Sequence, residues 1–250
     1  MAADPMPSAG PAPIPPPPPP MSQAGRVINT FIAPSRTFAD LRRSAQWWLP
    51  FLLAVIGGLS LVYVAESKIG TAKMVENDLH ARPKAEDQFE KLPPDRQASQ
   101  IKATGIIYYV AIPVFTLIIW LVMAGLQLGT LKIAAASDIT YGRTLAVIAY
   151  AGLPMVLRQL LAIVSVLAGA SPDGFTLNNP VATNPGYFMT PADNPFLYFI
   201  ASQVDIFLIW TLVLTAIGFA VAGKVKKGTA FAVVFGWWIV ITLGLAFAFS

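Results

Sequence analysis

The sequence predicts an all-α, polytopic membrane protein: a bundle of five transmembrane helices with a pre-membrane amphipathic segment and a helical external loop. Three observations predict it. Apolar residues make up 55% of the chain and charged residues only 12%, where a soluble domain carries roughly 25% charged residues. Five stretches meet or approach the ~20 apolar residues that a helix needs to cross a hydrocarbon core. Basic residues, finally, collect in alternate connections between those stretches, as they do on the cytoplasmic side of membrane proteins.

Residues 1–25 form the first element, expected as a disordered proline-rich tail. The run at positions 15–20 favours an extended polyproline helix without internal hydrogen bonds. It reads as a stiff, solvated spacer rather than as a ligand for a proline-recognising groove. The tail has no basic n-region and no apolar h-region, so no cleavable signal peptide is expected.

The membrane domain is expected over residues 26–250. In its pre-membrane segment, Val27, Ile28, Phe31, Ile32, Phe38 and Leu41 interleave with Arg26, Arg36, Arg42 and Arg43 against Asp40, and Pro34 divides the segment. Apolar residues on one side and arginines on the other suit helices lying on an anionic leaflet, which makes those four arginines expected membrane-surface contacts. The same pattern is also that of a plain anchor for the first span.

The first span covers residues 48–64, with Trp47, Trp48 and Tyr63 at its ends, where amphipathic rings prefer the headgroup level. The connection over residues 66–104 balances its acids and bases, and long polar connections translocate with little regard for charge. It is rich in helix formers, and Pro93-Pro94-Asp95 reads as a break followed by a helix start leading into the second span. Its one histidine, His80, is expected to be solvated and to hold no ligand.

The second span, 105–129, contains Pro113 and a GxxxG spacing at Gly125 and Gly129 that suits close helix approach. Lys132, Asp138 and Arg143 follow, then the third span, 145–168, with Pro154 inside it. Both prolines are expected to kink their helices. The connection over residues 170–195 has acids but no lysine or arginine, and its Pro-Asp-Gly, Asn-Asn-Pro and Asn-Pro-Gly runs predict irregular structure. Phe175, Val181, Tyr187, Phe188 and Met189 are positioned to fold it onto the bundle. The fourth span, 196–222, is followed by the basic connection containing Lys224, Lys226 and Lys227, and the fifth span occupies 229–249. The base-rich and base-free connections alternate consistently for five spans and place the N-terminus in the cytoplasm.

Chemistry is narrowed by what is absent. The chain has no cysteine and one histidine, which removes thiolate nucleophiles, disulfides and multi-histidine metal sites. No catalytic residue, metal site or cofactor is expected. The net charge of +4 belongs to topology rather than to nucleic-acid binding. One intramembrane feature stands out. Arg158 in the third span and Asp205 in the fourth lie at matching depth, about 14–15 Å from the outer ends of their helices at 1.5 Å per residue. An arginine alone at the bilayer centre costs about 2.5–3.5 kcal/mol on insertion scales, so the two are expected to pair, helped by Gln159 or Gln203. The pair reads either as an interhelical clamp or as part of a substrate, ion or proton path. The clamp is favoured, because one isolated pair offers no relay of further titratable groups.

Pro34-Ser35-Arg36-Thr37-Phe38 before the first span, and Tyr150-Ala151-Gly152-Leu153-Pro154 after the polar 138–144 connection, resemble the signature of the YIP domain family in its bacterial form. The resemblance covers about residues 26–250 and marks Pro34, Phe38, Tyr150 and Pro154 as family motif positions. It implies five spans and a cytoplasmic N-terminus. Eukaryotic members interact with Rab-type GTPases in vesicle trafficking. This chain lacks the Asp-Leu-Tyr-Gly-Pro run associated with those members, so that role is not carried over. The expectation is a non-enzymatic organiser or adaptor in a bacterial inner membrane. It acts through the lipid bilayer and through protein partners or further copies of itself, using Arg26, Arg36, Arg42, Arg43, Lys224, Lys226 and Lys227. The alternative is a small transporter or channel component centred on Arg158 and Asp205.

Overall fold

The computed structural model describes residues 19–249, and every regular element among them is helical. The order is α1 (Gln23–Ile32), α2 (Pro34–Asp40), α3 (Trp48–Lys68), α4 (Thr71–His80), α5 (Pro83–Glu90), α6 (Pro94–Ala135), α7 (Tyr141–Ala151), α8 (Leu153–Leu167), α9 (Pro195–Gln203), α10 (Ile206–Ala222) and α11 (Lys227–Phe249), with a 3₁₀ turn at Pro185–Phe188. α3, α6, the α7–α8 unit and α11 are each long and apolar enough to cross a bilayer. The pair α9–α10, bent by 54°, is together long and apolar enough to be the fifth.

Local chemistry explains the breaks. Pro154 has no N–H to offer the Tyr150 carbonyl and its ring crowds that carbonyl, so the third span is interrupted at Gly152 between α7 and α8. α6, by contrast, runs on through Pro113. Its 42 residues make it about 63 Å long at 1.5 Å per residue, twice the hydrocarbon core. The break between α9 and α10 comes from Asp205, whose carboxylate accepts from the backbone N–H of Phe207 at 2.9 Å and of Leu208 at 3.1 Å. Asp is a strong N-cap residue, and here it starts a new helix inside an otherwise continuous apolar run.

Two cores form, one toward each end of the bundle. The larger joins Phe38 and Leu41 of the α2 region to Tyr150 of α7, Phe219 of α10 and Val234 of α11. The smaller joins Leu61 and Ala65 of α3, Met74 of α4, Ala162 and Val166 of α8, and the loop residues Phe175 and Val181. Glycines matter at two close approaches. A Cβ on Gly218 would lie 2.4 Å from Val147 and 3.1 Å from the Phe38 ring, and one on Gly57 would meet the Gln159 amide. The expected GxxxG contact is not made: a Cβ at Gly125 or Gly129 would meet nothing within 4 Å. The α6 face carrying them is turned away from its neighbours.

The tail expected over residues 1–25 falls largely outside the described residues. Gln23–Gly25 already belong to α1, because the Ser22 hydroxyl caps it by accepting from the Gly25 N–H at 3.0 Å. The excursion over 66–104 is helical as expected, with α4 and α5 leading to a new start at Pro94. His80 is exposed, as expected, with its ring against the carboxylates of Glu86 and Glu76, which a helix spacing of four and a tight α4–α5 turn bring to it. Phe175 and Val181 fold inward as expected, whereas Phe188 stays 78% exposed.

Candidate functional site

Two buried arginine–aspartate clasps organise the molecule, and a basic surface lies beside the first. In α1, Arg26 and Thr30 occupy one stripe and Ile28 and Ile32 the opposite one. The polar stripe faces inward: Arg26 is 1% exposed and Ile32 76%. Arg26 therefore does not meet the membrane surface, contrary to expectation. Its Nε and Nη2 donate to one carboxylate oxygen of Asp40 at 2.8 and 2.7 Å, and the Met21 N–H adds a third donor at 3.2 Å. The hydroxyls of Thr30 and Thr37 both donate to the Arg26 carbonyl, at 2.8 and 3.0 Å. A desolvated guanidinium needs a partner more than it needs a leaflet, and Asp40 supplies it by folding α2 back along α1.

The family motif positions surround this clasp. Phe38 is buried in the large core against α10, and Tyr150 donates its hydroxyl to Gln23 Oε1 across the start of α1. Pro34 opens α2, and Pro154 is buried at the start of α8. Phe31 packs edge-on against Trp210, in the second turn of α10, at 5.7 Å. The α1–α2 hairpin is thus seated in the bundle. Arg36, Arg42 and Arg43 remain exposed, as do Lys224, Lys226 and Lys227.

The second clasp joins Arg158 of α8 to Asp205 at the α9–α10 break, Nε to Oδ2, at 3.1 Å. The depth argument brought the right residues together but named the wrong helpers. Thr183 donates its hydroxyl to Asp205, and Arg158 Nη2 donates to the Asn178 carbonyl at 3.3 Å. Both come from the 170–195 connection, which reaches down to satisfy the broken backbone as well: the Ile206 N–H donates to the Thr183 carbonyl at 3.1 Å. Irregular backbone at membrane depth persists only where protein surrounds it or where it lines a cavity, and this loop is what surrounds it. The loop is held in turn by Asn77 of α4, whose amide donates to the carbonyls of Pro172 and Phe175 at 2.8 and 3.0 Å, and by the paired amides of Asn179 and Asn184 at 2.7 Å.

Gln159 turns instead toward Gly57 and Gly58, and its buried Oε1 has no hydrogen-bond partner among the described residues. It borders a hollow of ≈ 410 Å³ together with Arg158, Tyr108, Ile112 and Asp78. Asp78 lies on α4, accepts from the Tyr108 hydroxyl at 3.1 Å and has Arg82 at 3.9 Å. Burial pushes its carboxyl above the usual range, against the opposing pull of Tyr108 and Arg82. A carboxyl raised by folding destabilises the fold at pH values above its ordinary pKa, and the penalty disappears as acid protonates it. Asp78→Asn is therefore expected to raise the unfolding midpoint near neutral pH, with the advantage shrinking toward acid. Equal midpoints for variant and parent at neutral pH would show that burial does not control this group.

Among the described residues no group of three or more His, Cys, Asp or Glu side chains could hold a metal ion. Compared with known proteins, the chain matches the family model of the Yip1 domain over residues 28–248. No curated protein and no solved structure matches it.

Proposed function

The chain belongs to the Yip1 domain family, and from that premise we propose that it is a non-enzymatic membrane organiser that holds a fixed basic platform at the cytoplasmic face of a bacterial inner membrane. One observation carries the reading. The Arg26–Asp40 clasp buries the polar stripe of α1 inside the bundle and leaves Arg36, Arg42 and Arg43 exposed on a seated hairpin. Lys224, Lys226 and Lys227 extend the basic surface from the α10–α11 connection. A cationic surface on rigid elements suits acidic protein segments and anionic lipid. Positive charge on this side also orients the bundle with its N-terminus inside.

A photo-cross-linking residue placed at Arg36 in living cells tests the platform. Discrete cross-linked products that fade when Lys226 and Lys227 become glutamine support it. The second reading, a transporter or channel component, rests on the hollow beside Arg158 with its unpaired Gln159 oxygen. If the cross-links ignore the lysines while Arg158→Leu/Asp205→Leu folds normally and loses its cellular phenotype, the platform is wrong and the second reading replaces it.

A further inference from the structure

Three connections meet at the basic end of the bundle: the turn after α2, the α6–α7 link and the α10–α11 link. The Ser137 hydroxyl ties the second to the third by donating to the Gly223 carbonyl at 2.9 Å. Between them lies a cavity of ≈ 700 Å³ walled by Arg42, Arg43, Arg143 and Lys224, with Asp138 as its one carboxylate. That volume falls within the range of small-molecule sites, about 300–1,000 Å³.

Three of the cations in this wall are not spent on its carboxylate. No ion pair among the described residues engages Arg42, Arg143, Lys224 or Asp138. Arg42, Arg143 and Lys224 around one hollow repel each other, and an anion with several acceptor oxygens removes that repulsion. The backbone supplies a second sign. Only two non-glycine residues among those described adopt positive φ, Ala136 at 44° and Lys224 at 53°, and both line this cavity. Left-handed backbone at residues with a Cβ is strained and concentrates at functional sites. Here it brings the Lys224 segment and the end of α6 around the same hollow.

We propose that this cavity binds a phosphomonoester: a dianionic phosphate, carried either by a membrane lipid headgroup or by a soluble compound. Bidentate arginines and a lysine match three phosphate oxygens bearing nearly two charges. A monoanionic phosphodiester would leave more of the cationic wall uncompensated. The site rests on the platform reading, since it assigns a ligand class to one part of that surface.

The test uses the full-length chain in phosphatidylcholine nanodiscs. Binding is measured by titrating dioctanoyl phosphatidic acid, dioctanoyl phosphatidylglycerol and, separately, inorganic phosphate at constant ionic strength. Arg143→Gln combined with Lys224→Asn removes two charges, and asparagine keeps the left-handed backbone accessible. Arg42→Gln is a second, milder variant on an exposed turn. Lys91→Gln, just after α5, is the control, an exposed cation outside both the cavity and the platform. Saturable binding of phosphatidic acid, weakened at least about tenfold in the double variant and unchanged in the control, is expected from the loss of two charge-assisted contacts. The same pattern with inorganic phosphate alone supports a soluble source. If neither phosphatidic acid nor inorganic phosphate binds, if phosphatidylglycerol binds equally well, or if the control loses as much as Arg42→Gln, the proposal is overturned. The Arg36 cross-links report on the platform separately, so their persistence in the double variant isolates a failure to the cavity.

Discussion

Asp205→Leu should unfold the broken fourth crossing more than any other single substitution, at a cost of about 3–5 kcal/mol, because it strands Arg158 in the bundle. The carboxylate has three roles at once. It accepts from Arg158 at 3.1 Å, takes the Thr183 hydroxyl, and caps α10 through the N–H groups of Phe207 and Leu208. Replacements can divide these roles. Asparagine caps helices about as well as aspartate, so Asp205→Asn should keep the helix start and lose mainly the ionic part. Asp205→Ala should lose about 1 kcal/mol more through the cap. Arg158→Leu/Asp205→Leu removes both charges, and should be more stable than either single variant despite the missing cap. The measurement is the denaturation midpoint in mild detergent for the set. A double variant as damaged as the sum of the singles would show that the two residues stabilise the bundle independently.

Releasing the N-terminal hairpin is the second large effect expected. Arg26→Met leaves the Asp40 carboxylate buried with one backbone donor, and a single missing partner in a buried pair costs about 3–5 kcal/mol. The hairpin packs into the large core through Phe38 but is not itself a crossing, so the loss should appear as undocking of α1 and α2 while the spans persist. The chain contains no cysteine, which permits a clean reporter. Thr30 is fully buried against the bundle, so Thr30→Cys should react slowly with a maleimide and much faster when Arg26→Met is added. Arg26→Met/Asp40→Leu should restore much of the protection. Labelling that does not respond to Arg26→Met would mean that apolar packing at Phe31 and Phe38 holds the hairpin without the clasp.

Much of this architecture was legible because bilayer thickness sets helix length. The apolar runs marked the four unbroken candidate crossings and the bent α9–α10 pair, and counting depth along two antiparallel helices paired Arg158 with Asp205. What escaped reading depended on orientation or on distant partners. Arg26 sits in a segment whose alternating polarity looks like an interfacial helix, and nothing local says that its polar stripe faces inward. The one available signal was Asp40, the lone acid among those arginines. The α9–α10 break hid inside a continuous apolar run, although an aspartate followed directly by helix-forming apolar residues is also an N-cap pattern. Thr183 and Asn178 could not be found at all, since a turn-rich loop carries no periodicity to say which residues it turns inward. The Gly125–Gly129 spacing misled for the opposite reason. It is a local pattern whose meaning depends on a neighbour, and α6 offers that face to none.

The clasp at Asp205 also sets a timetable for making the protein. Arg158 precedes its carboxylate by 47 residues in the chain. At a synthesis rate of about 5–20 residues per second, the third crossing leaves the ribosome some 2–10 s before Asp205 does. Until then its guanidinium has no carboxylate to pair with, and hydrocarbon is a poor place to wait. The third and fourth crossings are therefore expected to enter the bilayer together, as a hairpin released sideways from the insertion machinery, with the intervening loop threading back between them last.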